Sequence, residues 1–223
     1  MSRQTVRRIL KEEGIEPGPD RTSDSWTNFI ERHKETLWAV DFFSVRAVTA
    51  KGLRHMYVMA FLCMETRELI CSESTEHPTP AWVVDQTERF LEDTATREKK
   101  PEIVMHDRDT KFSKDFVVTL ASRGVRTNAL PKASPNLNGR VERVIPTIKL
   151  ECLAMFIIFG KKHLDYLLNE FTNYYNEHRS HMERTNLPPL GQAPDECDTV
   201  KLSDIEVKRY VGGLVASFER KAA

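Results

Sequence analysis

The chain of 223 residues has the length of one globular domain, with or without a short additional arm. Hydrophobic residues make up 40% and charged residues 30% of it, which is typical of a folded protein with a buried core and excludes a disordered tail or a fibre. Its 33 Lys and Arg residues balance 33 Asp and Glu residues, so there is no chain-wide attraction to nucleic acid. Any such attraction must come from a local patch.

The apolar and cysteine patterns give no sign of a membrane span, a secretory signal or a zinc site. The longest apolar runs, residues 57–64 and 153–159, are shorter than the roughly 20 residues that cross a bilayer. No apolar stretch follows the N-terminal arginines. The four cysteines form no C-x-x-C pair, and His178 and His181 are not part of a motif with acidic or cysteine metal ligands. We therefore expect buried thiols and a cytoplasmic protein without a membrane partner.

The first 25 residues are predicted to be separate from the main domain. Residues 2–13 have the spacing of an amphipathic helix, in which Val6, Ile9 and Leu10 share one face. Residues 16–25 are rich in Pro, Gly, Asp and Ser, which is typical of a linker. A boundary near residue 25 follows.

The main domain alternates predicted strands and helices. Three consecutive strands are followed by helix, strand, helix, strand and two helices, which indicates an α/β fold with a mixed five-stranded sheet flanked by helices. The first helix begins with Pro80, where a missing N–H has no cost. The predicted strands are 37–45, 57–64, 68–72, 102–105 and 125–130; the helices are 80–91, 113–123, one from about 140, and 164–177. Residues 203–223 are expected to form a small strand or helix.

Three acidic residues occupy positions that suggest a metal site. Asp41 is the single charge in an apolar strand, where an unpartnered carboxylate is costly. Asp107 follows the fourth strand, at the sheet edge where ligands of α/β proteins usually bind. Glu142 begins the helix after an Asn- and Gly-rich loop. If these three carboxylates converge, a divalent cation must neutralise them, and oxygen ligands select Mg²⁺ or Mn²⁺.

Each of these residues also has an ordinary structural interpretation. Asp41 would instead cap a bulge or pair with an arginine. Asp107 would simply start a turn, and Asp109 is chemically almost as good a ligand. Glu142 would be a helix-surface residue. The order and sequence context of the three residues make the metal site the stronger hypothesis.

Over residues 22–195 the chain resembles the integrase core of DDE transposases and retroviral-type integrases, especially bacterial insertion-sequence transposases. The matching segments are WAVDFF (38–43), HDRDTKF (106–112) and SPNLNGRVER (134–143). The 34 residues between Asp107 and Glu142 match the family spacing better than the 32 that follow Asp109.

The resemblance implies an RNase H-like fold in which Asp41, Asp107 and Glu142 bind two Mg²⁺ or Mn²⁺ ions. The implied chemistry is two-metal phosphoryl transfer, with cleavage of DNA and strand transfer of a mobile element. The implied partners are the element ends, target DNA and further copies of the chain. Residues 26–195 would form the catalytic core, residues 1–25 the remnant of a helix-turn-helix with its linker, and residues 196–223 a C-terminal extension.

A local basic segment supports a DNA partner. Between Asp107 and Lys162 there are eleven Lys and Arg residues against five Asp and Glu residues. Lys149 lies seven residues after Glu142 and so nearly on the same helical face; alternatively it is a solvated lysine. The predicted DNA-binding residues are Lys149, Arg140, Arg143, Lys132 and Arg108.

Pro146 raises the possibility of an inactive copy. It has no N–H for the Glu142 carbonyl, so we expect a kink unless the helix begins as late as Val144. With the short N-terminal region, this motivates a second hypothesis: a degenerate, truncated transposase that acts only as a DNA-binding or transposase-binding module. A third hypothesis is an RNase H-type nuclease that cuts RNA in hybrids.

Overall fold

The computed structural model describes residues 26–130, 139–192 and 201–221, together with Thr5, Glu13 and Thr199. The chain divides into two units, Met1–Arg32 and His33–Ala223. Apart from Thr5 and Glu13, the predicted helix 2–13 and linker 16–25 lie outside the described residues. Helix α1 (Trp26–His33) begins in the first unit and is not among the predicted elements.

The second unit is built on a mixed five-stranded sheet. Strand order is β3-β2-β1-β4-β5; β1 runs antiparallel to β2 and parallel to β4. This confirms the predicted α/β architecture. The elements are β1 (Leu37–Thr49), β2 (Gly52–Cys63), β3 (Leu69–Cys71), α2 (Pro80–Asp93), β4 (Ile103–His106), α3 (Lys114–Ser122), β5 (Arg126–Ala129), α4 (Gly139–Glu151), α5 (Gly160–Glu177), β6 (Ile205–Tyr210) and β7 (Val215–Arg220).

One face of the sheet packs against α2 and α3. Trp38 and Val40, two residues apart on β1, point to this side, as the alternation of a strand requires. Phe90 of α2 stacks on Phe61 with 4.1 Å between ring centroids and meets Trp38 edge-on at 5.1 Å. Thr79 caps α2 and Pro80 occupies its first turn, as predicted.

Helices α4 and α5 pack against the central and edge strands of the sheet. The alternation of β1 sends Ala39, Asp41 and Phe43 to the face opposite Trp38 and Val40. Val141 and Ile148 of α4 are fully buried. Burial of this stripe holds α4 against β1 and β2.

Two C-terminal features differ from the prediction. Helix α5 begins at Gly160 and not near residue 164, since Gly160, with φ of 65°, turns the chain into the helix early. The last described residues form a two-stranded antiparallel hairpin, β6–β7, where one strand or helix was expected. The Tyr210 hydroxyl lies 2.7 Å from His178 Nε2, which joins this hairpin to the end of α5.

The described cysteines are buried or partly buried, in line with the buried thiols expected from the sequence. Cys63 and Cys152 are buried free thiols, and Cys71 is a partly buried one. Cys197 lies outside the described residues. None of the described helices has both the length and the hydrophobicity that crossing a bilayer requires.

Candidate active site

The candidate active site lies where β4 ends beside β1. The last paired residues of these parallel strands are Val40 and His106, so Asp41 and Asp107 come next on adjacent strands. Strand β1 continues past this point, with Asp41 opposite Ala60 of β2. The sheet therefore opens at Asp41 on the side where β4 stops, and two carboxylates stand at the opening.

Asp41 lies in a desolvated, negatively charged environment. Burial raises its pKa to about 6, and repulsion from Asp107, Glu142 and Asp109 adds to that effect. The opposing contribution comes from the Phe42 N–H, which donates to Asp41 Oδ1 at 2.7 Å. The three other carboxylates are thus within electrostatic range of Asp41. Such a group is stabilised by a cation.

The two aspartates after β4, Asp107 and Asp109, differ in the hydrogen bonds that their carboxylate oxygens accept. Asp109 accepts from the Lys111 backbone N–H at 2.9 Å and from Lys111 Nζ at 2.6 Å, one bond to each oxygen. Burial raises the pKa of Asp109, but the hydrogen bonds and charge of Lys111 outweigh it and the pKa falls. Asp107 accepts the Asp109 N–H through Oδ1 at 2.9 Å. Of the two, Asp107 is the better candidate ligand.

Glu142 lies in the first turn of α4, which begins at Gly139 and includes Pro146. This decides between the two sequence alternatives: Glu142 is helical and does not belong to a late cap. Because Pro146 has no N–H, the Glu142 carbonyl lacks its usual helical partner. The Glu142 side chain is exposed.

Lys149 lies at the same side of the sheet as Asp41. Its Nζ is 5.8 Å from the centre of the Phe43 ring, and Phe43 is two residues after Asp41 on β1. Residues two apart on a strand point to one face. The contact therefore places the ammonium group on the face of β1 that carries Asp41.

The described ones among the other predicted DNA-binding residues each contact another part of the chain. Arg108 Nε donates to the Leu130 carbonyl at 2.9 Å, and Arg140 Nη1 donates to the Met64 carbonyl at 2.6 Å. Arg143 Nη1 lies 3.6 Å from a Glu183 oxygen. Lys132 lies outside the described residues.

The donor chemistry fits a hard divalent cation. Within residues 26–130, 139–192 and 201–221, no group of three or more His, Cys, Asp or Glu side chains is close enough to enclose a metal ion. Mg²⁺, however, is usually held by one or two carboxylates together with water and substrate phosphates. Asp41 and Asp107 supply such oxygens, and Glu142 and Asp109 add negative charge around Asp41.

Lys111 is a site residue that the sequence analysis did not single out. Its Nζ lies 5.2 Å from the centre of the Phe42 ring and 6.0 Å from that of Tyr57, besides binding Asp109. The position of Lys111 two residues after Asp109 was the available signal, because a lysine that follows a turn aspartate often pairs with it. It holds Asp109 as the ion-paired carboxylate of the loop.

Comparison with known proteins supports this description. Residues 123–189 match the family described as the integrase core domain. A chain of the simian T-cell lymphotropic virus intasome in complex with PP2A regulatory subunit B56 gamma is 11% identical, with a TM-score of 0.54; the match covers 75% of this chain and 60% of that one. The HTLV-2 integrase catalytic core with magnesium is 14% identical, with a TM-score of 0.50, over 69% and 93% of the two chains.

The catalytic core of BIV integrase is 13% identical, with a TM-score of 0.51, over 70% of this chain and 91% of that one. No curated protein matches the sequence. At such identities the structural matches establish the fold, which is the predicted RNase H-like fold of integrase cores. Residues 123–189 are thus similar to the integrase core domain family, and the fold is that of integrase catalytic cores.

Proposed function

We propose that the protein is a metal-dependent DNA transposase or integrase that cuts DNA and joins the ends of a mobile element to target DNA. The observation that carries the proposal is the set of carboxylates around Asp41, placed where β4 ends and the sheet opens. The integrase core match supports the same class of chemistry. Asp41, Asp107 and Glu142 are the proposed ligands of two Mg²⁺ or Mn²⁺ ions.

The chain's own residues prepare the site for cations and phosphate. Asp41 and Asp107 present oxygens on adjacent strands, and Glu142 adds its carboxylate from α4. Lys111 holds both oxygens of Asp109, which leaves Asp107 as the available carboxylate of the loop. The ions, when bound, supply activation of a water or a 3′-hydroxyl and stabilisation of the leaving oxygen.

Basic residues near the site bind the DNA backbone in this proposal. Lys149, held over Phe43, orients a phosphate beside the carboxylates. Arg108, Arg140, Arg143 and Lys132 would add sequence-independent contacts. Because released counterions drive such binding, affinity should fall steeply as salt rises.

The organisation proposed for the whole protein follows from this activity. In this proposal residues 26–195 form the catalytic core, residues 1–25 an N-terminal DNA-binding segment and residues 196–223 a C-terminal extension. Several copies assemble on DNA, because two element ends must be held together. The element is of the bacterial insertion-sequence type and the protein works in the cytoplasm, in keeping with its free thiols.

A second candidate function is favoured by Pro146. A proline inside α4, four residues after Glu142, removes the hydrogen bond that would fix the backbone of this ligand. A copy whose Glu142 is badly placed would bind DNA or another transposase without cutting.

The deciding experiment measures cleavage of a supercoiled plasmid and of an RNA–DNA hybrid in Mg²⁺ or Mn²⁺. The wild type is compared with Asp41→Asn, Asp107→Asn and Glu142→Gln, and with Asp115→Asn as a control on the remote helix α3. The proposal expects metal-dependent DNA cleavage that the first three variants lose and the control keeps. Full activity in Asp41→Asn would refute the assignment.

Two other results would change the function. Cleavage of the hybrid alone would indicate an RNA nuclease. DNA binding without cleavage in any metal would favour the degenerate copy. Calorimetric titration of Mg²⁺ in the presence of DNA, repeated with Glu142→Gln, shows whether Glu142 is a ligand independently of turnover.

A further inference from the structure

A second polar site lies on the far side of α4. A cavity of about 260 Å³, open to solvent, is lined by the turn between β2 and β3, by α4 and by the segment after α5. Its charged lining consists of four guanidinium groups and a single carboxylate. These are Arg67, Arg140, Arg143, Arg179 and Glu183.

The cavity is separate from the candidate active site. Arg140, Arg143 and Thr147 line it from α4, with the i, i+3, i+7 spacing of one helical face. Glu142 and Lys149 lie about half a turn away around the helix axis. Helix α4 therefore presents its acidic ligand to one side and its arginines to the other.

The positive charge in the cavity is only partly balanced. Glu183 contacts both Arg67 and Arg143. Glu151, outside the cavity, accepts from Arg179 Nε at 2.8 Å and Nη2 at 2.7 Å. Arg140 donates to a backbone carbonyl, which carries no net charge. Glu183 is thus shared by two arginines, and Arg140 has no anion among these contacts, which is unfavourable for a cation that is partly buried.

His181 also lines the cavity, and the excess of positive charge affects its imidazole ring. Its Nε2 is buried and has no hydrogen-bond partner in the described part of the chain. Burial and the charges of Arg179, Arg67 and Arg184 lower its pKa to about 4. Burial and repulsion from Arg140 likewise lower the pKa of Arg67. An anion in the cavity would relieve both effects.

We infer that this cavity binds a phosphate group, supplied either by a nucleic-acid backbone or by a free phosphate compound. Planar guanidinium groups match phosphate oxygens with paired hydrogen bonds. The volume lies below the roughly 300–1,000 Å³ of pockets for drug-sized ligands, and therefore suits one or two phosphate groups. The inference goes beyond the proposed cleavage activity and does not depend on it.

Calorimetric titration of the full chain with pyrophosphate in EDTA tests the inference, since without divalent metal the carboxylate site does not contribute. Arg143→Gln is the main variant, because the Arg143 side chain is 77% exposed and its loss should leave the fold intact. We expect saturable binding that becomes about tenfold weaker in this variant, as loss of a charge-assisted hydrogen bond predicts. Arg123→Gln, an exposed arginine at the end of α3, is the matched control.

The remaining arms identify the source of the phosphate and separate the two sites. Competition by a short single-stranded oligonucleotide would assign the cavity to a nucleic-acid backbone; competition by inorganic phosphate alone would assign it to a free phosphate. Asp41→Asn should retain pyrophosphate binding, whatever happens to cleavage. His181→Asn should weaken binding, as Arg143→Gln does. Absence of saturable binding, or equal loss in Arg123→Gln, would overturn the inference.

Discussion

The two sides of α4 carry opposite charge: carboxylates cluster on one side and arginines on the other. On one side, Glu142 and the strand-end aspartates crowd negative charge around Asp41, whose pKa rises to about 6. On the other, four arginines share a cavity with one glutamate, and the pKa of His181 falls to about 4. In both places burial and like charge disfavour ionisation of the central group. Each side is therefore unfavourable alone and becomes favourable with a ligand of opposite charge, a cation on one side and an anion on the other.

The largest expected effect comes from neutralising the acidic side. If the proposed function holds, Asp41→Asn should reduce metal-dependent DNA cleavage by at least about a thousandfold, since a proposed metal ligand is lost. The same change should stabilise the metal-free protein at pH 7 by about 1–3 kcal/mol, because the ionised carboxylate is disfavoured there. Plasmid cleavage and chemical unfolding measure the two effects.

The direction in which stability changes with pH follows from the difference between the pKa of Asp41 in the folded and in the unfolded chain. The native pKa of Asp41 is above its ordinary value of 3.8, so this group lowers stability as pH rises from about 4 to about 6. Asp115→Asn should show neither the loss of cleavage nor the gain in stability. A destabilised Asp41→Asn would contradict the account of charge crowding.

Pro146→Ala tests the helix that separates the two sides. The change restores a donor for the Glu142 carbonyl and removes a residue that is about 3 kcal/mol less favourable than alanine in a helix interior. We expect stabilisation of about 1–3 kcal/mol in urea unfolding, since the surroundings already accommodate the proline. Thr147→Ala, the neighbouring change, is the control for altered surface polarity. A destabilised Pro146→Ala would mean that the proline geometry is required.

On the basic side of α4, His181 should make the free energy of unfolding decrease as the pH falls. His181 has a native pKa of about 4 against an ordinary value of 6.5, so the unfolded chain binds a proton first. Stability contributed by neutral His181 is complete above pH 6.5 and is lost as pH falls towards 4. Its neighbours are Arg179, Arg67, Arg184 and Glu151.

The matched variant is His181→Gln, which cannot titrate. The slope of unfolding free energy between pH 6.5 and 4 should decrease, with a total change of about 1–2 kcal/mol for this half-buried group. Denaturant unfolding at several pH values measures it. An unchanged slope would mean that Nε2 is solvated in the folded protein.

The smallest expected effect concerns the lysine over Phe43. Lys149→Gln should weaken DNA binding similarly for all sequences and reduce the slope of log affinity against log salt by about 1. Fluorescence anisotropy at several salt concentrations measures this slope. Lys114→Gln, on α3, should leave it unchanged. A sequence-dependent loss would indicate contact with bases and not with phosphate.

The fold and the acidic side were readable from sequence because their signals are local. A charged residue in an apolar strand marked Asp41, and the end of a strand marked Asp107. Alternating strands and helices predicted the sheet. Helix α1 was missed because its eight residues directly follow a segment of linker composition.

Of the basic side, only Arg140 and Arg143 were singled out from the sequence, because its other residues are distant from α4 along the chain. Arg67 comes from a turn after β2, whereas Arg179 and His181 follow α5. Only tertiary packing brings them together with α4. The partner of each arginine, such as Glu151 for Arg179, also depends on side-chain geometry that no spacing rule gives.

Strand β1 continues for nine residues, Asp41–Thr49, beyond the point where its pairing with β4 ends. This difference in length also bears on whether the chain associates with other copies. A strand whose neighbour has ended leaves backbone groups available to another chain, which is a common start of aggregation. Here the Val48 N–H donates to the Ile158 carbonyl at 2.8 Å, and the exposed Arg46 adds charge to the open stretch. These two features make the open stretch of β1 less able to pair with a strand of another chain.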